Sequence, residues 1–201
     1  MAISLSDLRR IGGHPALDFA NTVDPRGSDP QIDYIRSYGD LLQWSRLVGI
    51  LDARSERELT LKAQRNPGRA AAEFRRSLQL RELIARIFLS VADDERPKAR
   101  DVDALGSIAA TVQAAQVLTA ETRVFVWRWK VPAELDLPVL ALADDAARLL
   151  TESDSLGQRI RRCAGHPCGW LFLDTSKGGK RRWCSMASCG NRAKSQRTAR
   201  A

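Results

Sequence analysis

The chain has 201 residues, of which 44% are hydrophobic, 28% charged and 6% aromatic, and its formal net charge is +8. This composition excludes a disordered chain and a membrane-embedded one, and the length allows one ordinary domain with a small appendage. Residues 158–201 hold 11 Lys and Arg against one acidic residue, a net charge of +10, whereas residues 1–157 hold 21 against 23, a net charge of −2. All four cysteines also lie in residues 158–201. We therefore expect two domains, residues 1–157 and residues 158–201.

The N-terminal residues and the apolar stretches bear on the cellular compartment. Residues 1–10 lack the apolar core of a signal peptide, and the uncharged residues 104–120 include too many polar side chains for a transmembrane helix. We thus expect a cytoplasmic protein with no membrane partner. In such a reducing compartment, paired cysteines favour metal binding over disulfide bonds.

The first predicted element is a short helix within residues 14–22, between a Gly-Gly break and a segment rich in turn formers. Helical spacing places four polar side chains on one face: His14, Asp18, Asn21 and Thr22. One hypothesis is that this face binds a small ligand. The other is that these side chains cap the helix and anchor the loop that follows it.

The rest of residues 1–157 is predicted to be mostly helical, with a small β-sheet. Apolar residues recur at helical spacing in residues 41–48, 52–64, 80–91, 101–112 and 138–150. Asp101 is expected to cap the fourth of these helices. Between residues 122 and 131 the period changes to two, which predicts a strand whose Trp127 and Trp129 pack on the helices. A polar linker is expected at residues 151–157. The segment has no P-loop, dinucleotide fingerprint or nucleophile elbow, so we do not expect an enzyme.

The four cysteines form two pairs with equal spacing. Four residues separate Cys163 from Cys168 and Cys184 from Cys189, and a 15-residue loop joins the pairs. Each pair can supply two sulfur ligands from one tight turn, which predicts a closed tetrahedral site with one structural Zn²⁺. Two disulfides and an iron–sulfur cluster are the alternatives. His166, inside the first pair, is expected beside the site or at the surface.

The segments around the cysteines predict a treble-clef or zinc-ribbon-like finger. Residues 170–173 and 181–183 are expected to form a hairpin around a turn at residues 177–180. The run from Gly190 to Ala201 has no helix breaker and predicts a C-terminal helix. The finger is too small for a core of its own, so we expect metal removal to unfold it and to leave residues 1–157 intact.

These same segments carry a family resemblance. Residues 168–176 (CGWLFLDTS), 181–186 (RRWCSM) and 189–194 (CGNRAK) closely resemble the CGNR zinc-finger family of bacterial proteins. Residues 13–22 (GHPALDFANT) resemble the opening of the ABATE domain that accompanies this finger. The resemblance implies a transcriptional regulator with a zinc-bound, DNA-binding finger and an N-terminal domain that senses a small-molecule effector.

The basic residues of the finger are predicted to contact DNA. A net charge of +10 on one module is typical of a phosphate-binding surface, although a zinc ion with four thiolates absorbs about two positive charges. Base contacts are expected from one set of residues: Asn191, Arg192, Gln196 and Arg197. Phosphate contacts are expected from a second set: Lys177, Lys180 and Lys194. Arg181 and Arg182 are predicted to contact DNA or the cysteine sulfurs. Asn191 alternatively caps the helix or forms a hydrogen bond near the metal.

A single finger offers little surface for specific DNA recognition, so a homodimer is expected. Two other functions compete with DNA binding. In RNA binding, Trp170 and Trp183 would stack on bases. In a small-molecule enzyme, the His14 face would hold the substrate.

Overall fold

The structure of the protein, a computed structural model, describes residues 5–151 and 159–198. At residues 6 and 197 it describes the backbone alone. Apart from Thr151, the predicted linker and the boundary after residue 157 lie outside the described residues.

Six α-helices build most of residues 5–151. They are α1 (Pro15–Ala20), α2 (Tyr38–Leu47), α3 (Ala53–Arg65), α4 (Pro67–Ala92), α5 (Ala99–Ala110) and α6 (Leu137–Thr151). Local sequence explains several starts, because the side chains of Ser37, Asp52 and Asn66 accept hydrogen bonds from the first turns of α2, α3 and α4. Pro67 fits the first turn of α4, where no intrahelical donor is lost.

The predicted cap of α5 is wrong. Lys98 precedes the helix and makes no side-chain cap, whereas the Asp101 carboxylate pairs with Arg86 of α4 at 2.9 Å. The helix begins at Ala99, so Asp101 lies inside its first turn and not at the cap position, and its carboxylate pairs with the neighbouring helix instead.

Helix α4 is the centre of the core. Its apolar stripe includes the fully buried Ile84 and Phe88, and α1, α2, α5 and α6 pack around it. Phe19 of α1 and Trp44 of α2 contact each other in the same core, with ring centroids 5.1 Å apart. The short first helix is thus held by packing against the longest one.

Two antiparallel pairs of strands accompany these helices. Strands β1 (Val23–Asp24) and β2 (Ile32–Asp33) pair, as do β3 (Gln116–Glu121) and β4 (Val124–Trp129). The prediction that two tryptophans seal β4 onto the helices is wrong for Trp127, which is 47% exposed, and Phe125 beside it is 72% exposed. Trp129, at the base of this β3–β4 hairpin, does pack on the core. A period of two identifies the faces of a strand and does not show whether either face is covered.

Within residues 159–198, the finger has two further strands and one α-helix. Strand β5 (Ile160–Arg162) pairs antiparallel with β6 (Leu171–Leu173). A π-helical turn at Met186–Gly190 leads directly into α7 (Asn191–Thr198), in agreement with the predicted C-terminal helix.

The predicted return strand at residues 181–183 is not formed, and β6 pairs with the strand that precedes it. The Asp174 carboxylate is the reason, because it accepts hydrogen bonds from Ser176 N at 2.9 Å and from Arg181 N at 2.8 Å. These bonds close the intervening loop without a strand ladder.

The finger shares the core of the helical part. Ile160, Leu171 and Phe172 are fully buried in the same apolar cluster as Phe19 and Phe88, with β5 against α4 and β6 against α1. The protein therefore has an α+β fold, in which small antiparallel sheets and a zinc-ribbon-like finger join a mostly helical core. Among the residues described, no helix is both long and apolar enough to cross a membrane.

Candidate metal centre and nucleic-acid interface

The four cysteines converge on one point. Cys163, Cys168, Cys184 and Cys189 are all buried and unpaired by disulfides, and their sulfur atoms lie within 4.8 Å of one another. A tetrahedral ion with Zn–S bonds of about 2.3 Å places its sulfurs about 3.8 Å apart. Sγ of Cys184 lies 3.6 Å from that of Cys168 and 3.7 Å from that of Cys189. The donor set thus fits one structural zinc ion, and four protein ligands leave no position for a catalytic water.

Backbone amides support the sulfur ligands. Cys184 N and Gly165 N donate to Cys163 Sγ at 3.3 and 3.5 Å, and such bonds stabilise a thiolate. Gly165 is needed here, because a Cβ at this position would lie 2.8 Å from Cβ of Cys189.

Without metal, the thiols compete for protons. Hydrogen bonds from Cys168 and Cys184 lower the pKa of the Cys163 thiol. The same contacts with Cys163, together with burial, raise the pKa of Cys168 and of Cys184. Metal binding removes this competition by replacing the shared protons with one cation.

Backbone hydrogen bonds attach the N-terminal part of the chain to the first cysteine pair. Arg26 N and Gly27 N both donate to the carbonyl oxygen of Cys168, at 2.8 and 3.3 Å. Gly169 has a φ of +65°, and a Cβ there would lie 2.8 Å from Gly27 N. A side chain at residue 169 would therefore separate the two backbones.

Asn21 completes this attachment. Its Nδ2 donates to Leu171 O at 2.7 Å, and its Oδ1 accepts from Leu171 N at 2.9 Å. The side chain is 1% exposed, so it pairs with β6 as a neighbouring strand would. Asn21, which the sequence placed on a face that could bind a small molecule, thus lies between the N-terminal part and the finger.

The other residues of the predicted ligand face also make internal contacts. His14 Nδ1 accepts from Ala16 N and caps α1, and it lies 3.3 Å from an Asp145 carboxylate oxygen. Asp18 accepts from Gly12 N at 2.8 Å, and burial raises the pKa of its carboxyl. The Thr22 hydroxyl donates to Phe19 O at 2.8 Å. Ligand binding at this face stays a prediction, and these contacts support the alternative of capping and anchoring.

A partly buried ionic network, in which the arginine side chains are buried and the carboxylates partly exposed, stabilises the loop that contacts the finger. Sequence reasoning missed this network. The Arg81 guanidinium donates to both carboxylate oxygens of Asp33, at 2.8 and 2.6 Å, and to the Thr22 hydroxyl. Arg26 pairs with Glu82 at 2.9 Å. The partners are 48 and 56 residues apart in the chain, so no local pattern connects them.

Most of the predicted DNA contacts are exposed. This holds for Lys177, Lys180, Arg182, Asn191, Arg192, Lys194 and Gln196. Asn191 Nδ2 also donates weakly to Ala187 O at 3.4 Å, within its own turn. The side chain of Arg197 lies outside the described residues. His166 is exposed, as expected.

Arg181 differs from the other cations because it holds the finger together. Its guanidinium lies 4.4 Å from the ring centroid of Phe172 and donates to Trp183 O at 3.0 Å and to Cys184 O. Arg182 covers the ring of Trp183 at 5.2 Å. Trp170 is 6% exposed, so it offers no surface on which an RNA base can stack.

Comparison with protein families agrees with this arrangement. The ABATE profile, described as "Putative stress-induced transcription regulator", matches residues 13–153, more than half of the chain. The chain belongs to the ABATE family. A second profile, the CGNR zinc finger, matches residues 159–201 of this ABATE protein and includes all four cysteines. Both matches confirm the resemblance seen in the sequence. A search of curated proteins finds no significant match to this ABATE protein.

Proposed function

We propose that this ABATE protein is a transcriptional regulator, not an enzyme, and that its finger binds duplex DNA. The observation that carries the proposal is the net charge of +10 confined to residues 158–201. The exposed cations among its described residues include Lys177, Lys180, Arg182, Arg192 and Lys194. Thiolate ligands need a reducing compartment, so the proposal places the protein in the cytoplasm.

Helix α7 is the proposed DNA-recognition helix. It starts two residues after Cys189, so the zinc ion fixes its direction relative to the rest of the finger. Its exposed Asn191 and Gln196 are suited to adenine edges, and Arg192 to a guanine edge. Lys177 and Lys180, in the loop after β6, are suited to phosphates.

We infer in addition that two copies associate through the β3–β4 hairpin. Several large apolar side chains are exposed on or beside it: Val117, Leu118, Val124, Phe125, Trp127 and Val131. Residues 104–120, which include most of β3, carry no charge. Near a two-fold axis each side chain meets its own copy, so a neutral strand avoids the like-charge repulsion that a charged one would produce. A dimer also doubles the roughly 600–1,000 Å² that one small DNA-binding module buries.

DNA binding is tested by fluorescence anisotropy of the zinc-loaded full chain with duplexes selected from a random pool. Five phosphate contacts predict that the logarithm of the affinity falls against the logarithm of salt concentration with a slope of about −4.5. Lys177→Gln and Lys180→Gln should each make the slope shallower by about 0.9 for each finger bound.

Arg57→Gln, at an exposed position of α3 outside the finger and the hairpin, is the matched control and should leave the slope unchanged. Absence of duplex binding, or a slope that does not depend on the two lysines, would overturn the proposal. Preference for single-stranded RNA over duplex DNA in competition would favour the RNA-binding alternative.

A further inference from the structure

A cavity of about 240 Å³ lies beside the metal centre, between the finger and the N-terminal part. Arg9, Ile11, Asp24 and Pro25 line it from the N-terminal side. From the finger it is lined by Trp170, Ser188, Arg192 and three of the cysteines. At about 30 Å³ for each water molecule, the space holds roughly eight waters, which suits a small metabolite.

Two side chains of opposite charge line this cavity and do not form an ion pair with each other. Asp24 and Arg192 both line it, yet among the described residues neither forms an ion pair. Burial raises the pKa of the Asp24 carboxyl, and the charge of Arg192 and the nearby Trp170 indole oppose this rise. Arg9, on the same cavity, donates to Ser185 Oγ at 3.0 Å and so links the N-terminal segment to the finger.

We propose that this cavity binds a small zwitterion of the α-amino-acid class. The ligand carboxylate lies between Arg9 and Arg192, and its ammonium group lies on Asp24. Ile11 and Pro25, which also line the cavity, then contact the remainder of the ligand.

The charge around the cavity favours a zwitterion over a simple anion. Zinc with four thiolates has a formal charge of −2. Among the side chains that line the cavity, Asp24 adds one negative charge and Arg9 and Arg192 contribute two positive charges, so the cavity wall keeps an excess of one negative charge. This excess repels a lone carboxylate. A zwitterion adds no net charge, and it forms ion pairs with both the acidic and the basic side chains.

A ligand at this position affects the DNA surface directly, a consequence that rests on the proposed function. Arg192 lines the cavity and is also a proposed base contact on α7. A carboxylate paired with Arg192 withdraws that guanidinium from DNA, so the bound amino acid should weaken duplex affinity several-fold. Binding of the amino acid itself is measured without DNA, so failure of the cavity proposal and failure of DNA binding are distinguishable.

The test uses zinc-loaded full-length protein and a panel of the protein L-amino acids at millimolar concentration. Thermal-shift measurements find the binders, and titration calorimetry measures the affinity of the best one. Acetate and methylamine, which carry the two charges separately, are the control ligands and should bind at least tenfold more weakly. Asp24→Asn and Arg192→Gln should each reduce affinity for the amino acid by tenfold or more.

Arg57→Gln, at an exposed position of α3, should bind as the unmodified protein does, and circular dichroism with zinc analysis establishes that each variant is folded. If Arg192→Gln does not fold, Arg192→Lys replaces it and should also lose affinity, because lysine lacks the planar fork. The proposal is wrong if no amino acid in the panel binds. It is also wrong if acetate binds as well as the best amino acid, or if binding survives the Asp24 and Arg192 substitutions.

Discussion

Asn21 shows how one side chain attaches the finger to the helical part. Its amide makes two hydrogen bonds to the backbone of Leu171, and the residue is buried. The sequence marked Asn21 as one of four polar residues on a helix face. It did not identify the partner, because Leu171 is 150 residues away and contributes only backbone atoms.

We expect Asn21→Ala to destabilise the zinc-loaded protein by about 2–4 kcal/mol, since both Leu171 backbone groups lose their partner inside the core. Urea denaturation followed by circular dichroism measures this change. Gln43→Ala, which removes an exposed amide from the middle of α2, is the matched control and should change stability by less than about 0.5 kcal/mol. Equal effects of the two substitutions would contradict the attachment role of Asn21.

Among the elements, the helices were more predictable than the strands. The stripe of α4 that contains Ile84 and Phe88 repeats with helical period, so its existence and its buried face follow from local sequence. Strand pairing depends on distant partners. Strand β6 pairs with β5 because the Asp174 carboxylate closes the following loop, and this choice has no local signature. The metal ligands were predictable because, like the helices, they follow from local sequence: each cysteine pair lies within one short turn.

The β3–β4 hairpin gives a prediction at the same scale. The double substitution of Phe125→Ser with Trp127→Ser should convert a dimer into a monomer and leave the fold intact, because both side chains are exposed in one chain. Analytical ultracentrifugation at micromolar concentrations measures the oligomeric state. Leu61→Ser, an exposed apolar position on α3, is the control and should stay dimeric. A monomeric unmodified protein, or a dimeric double variant, would exclude this interface.

At the scale of the whole molecule, the shared core changes the expectation for metal removal. From sequence, the finger was expected to unfold alone. The structure instead buries Leu171 and Phe172 in the cluster that also contains Phe19 and Phe88. Loss of the zinc site therefore removes apolar contacts from the helical part as well.

We expect chelation to lower the melting temperature of the entire chain in one cooperative transition. Hydrogen exchange should show that amides of α1 and of the α4 segment beside β5 lose protection together with those of β6. Cys163→Ser should reproduce this behaviour without a chelator, and added zinc should restore the unmodified protein after chelator removal. Two separate transitions, with an unchanged helical one, would show that the two parts are independent.

The distance along the chain between Asn21 and Leu171 also has a consequence for biosynthesis. At about 5–20 residues per second, the 150 residues between them take roughly 8–30 s to translate. During that time α1 has been made, but the strand that covers it has not, so Phe19 and its neighbours lack part of their final surroundings. Nascent chains should therefore depend on chaperones until the cysteine-rich segment has left the ribosome and bound its metal, and chains that terminate before this segment should depend on them throughout.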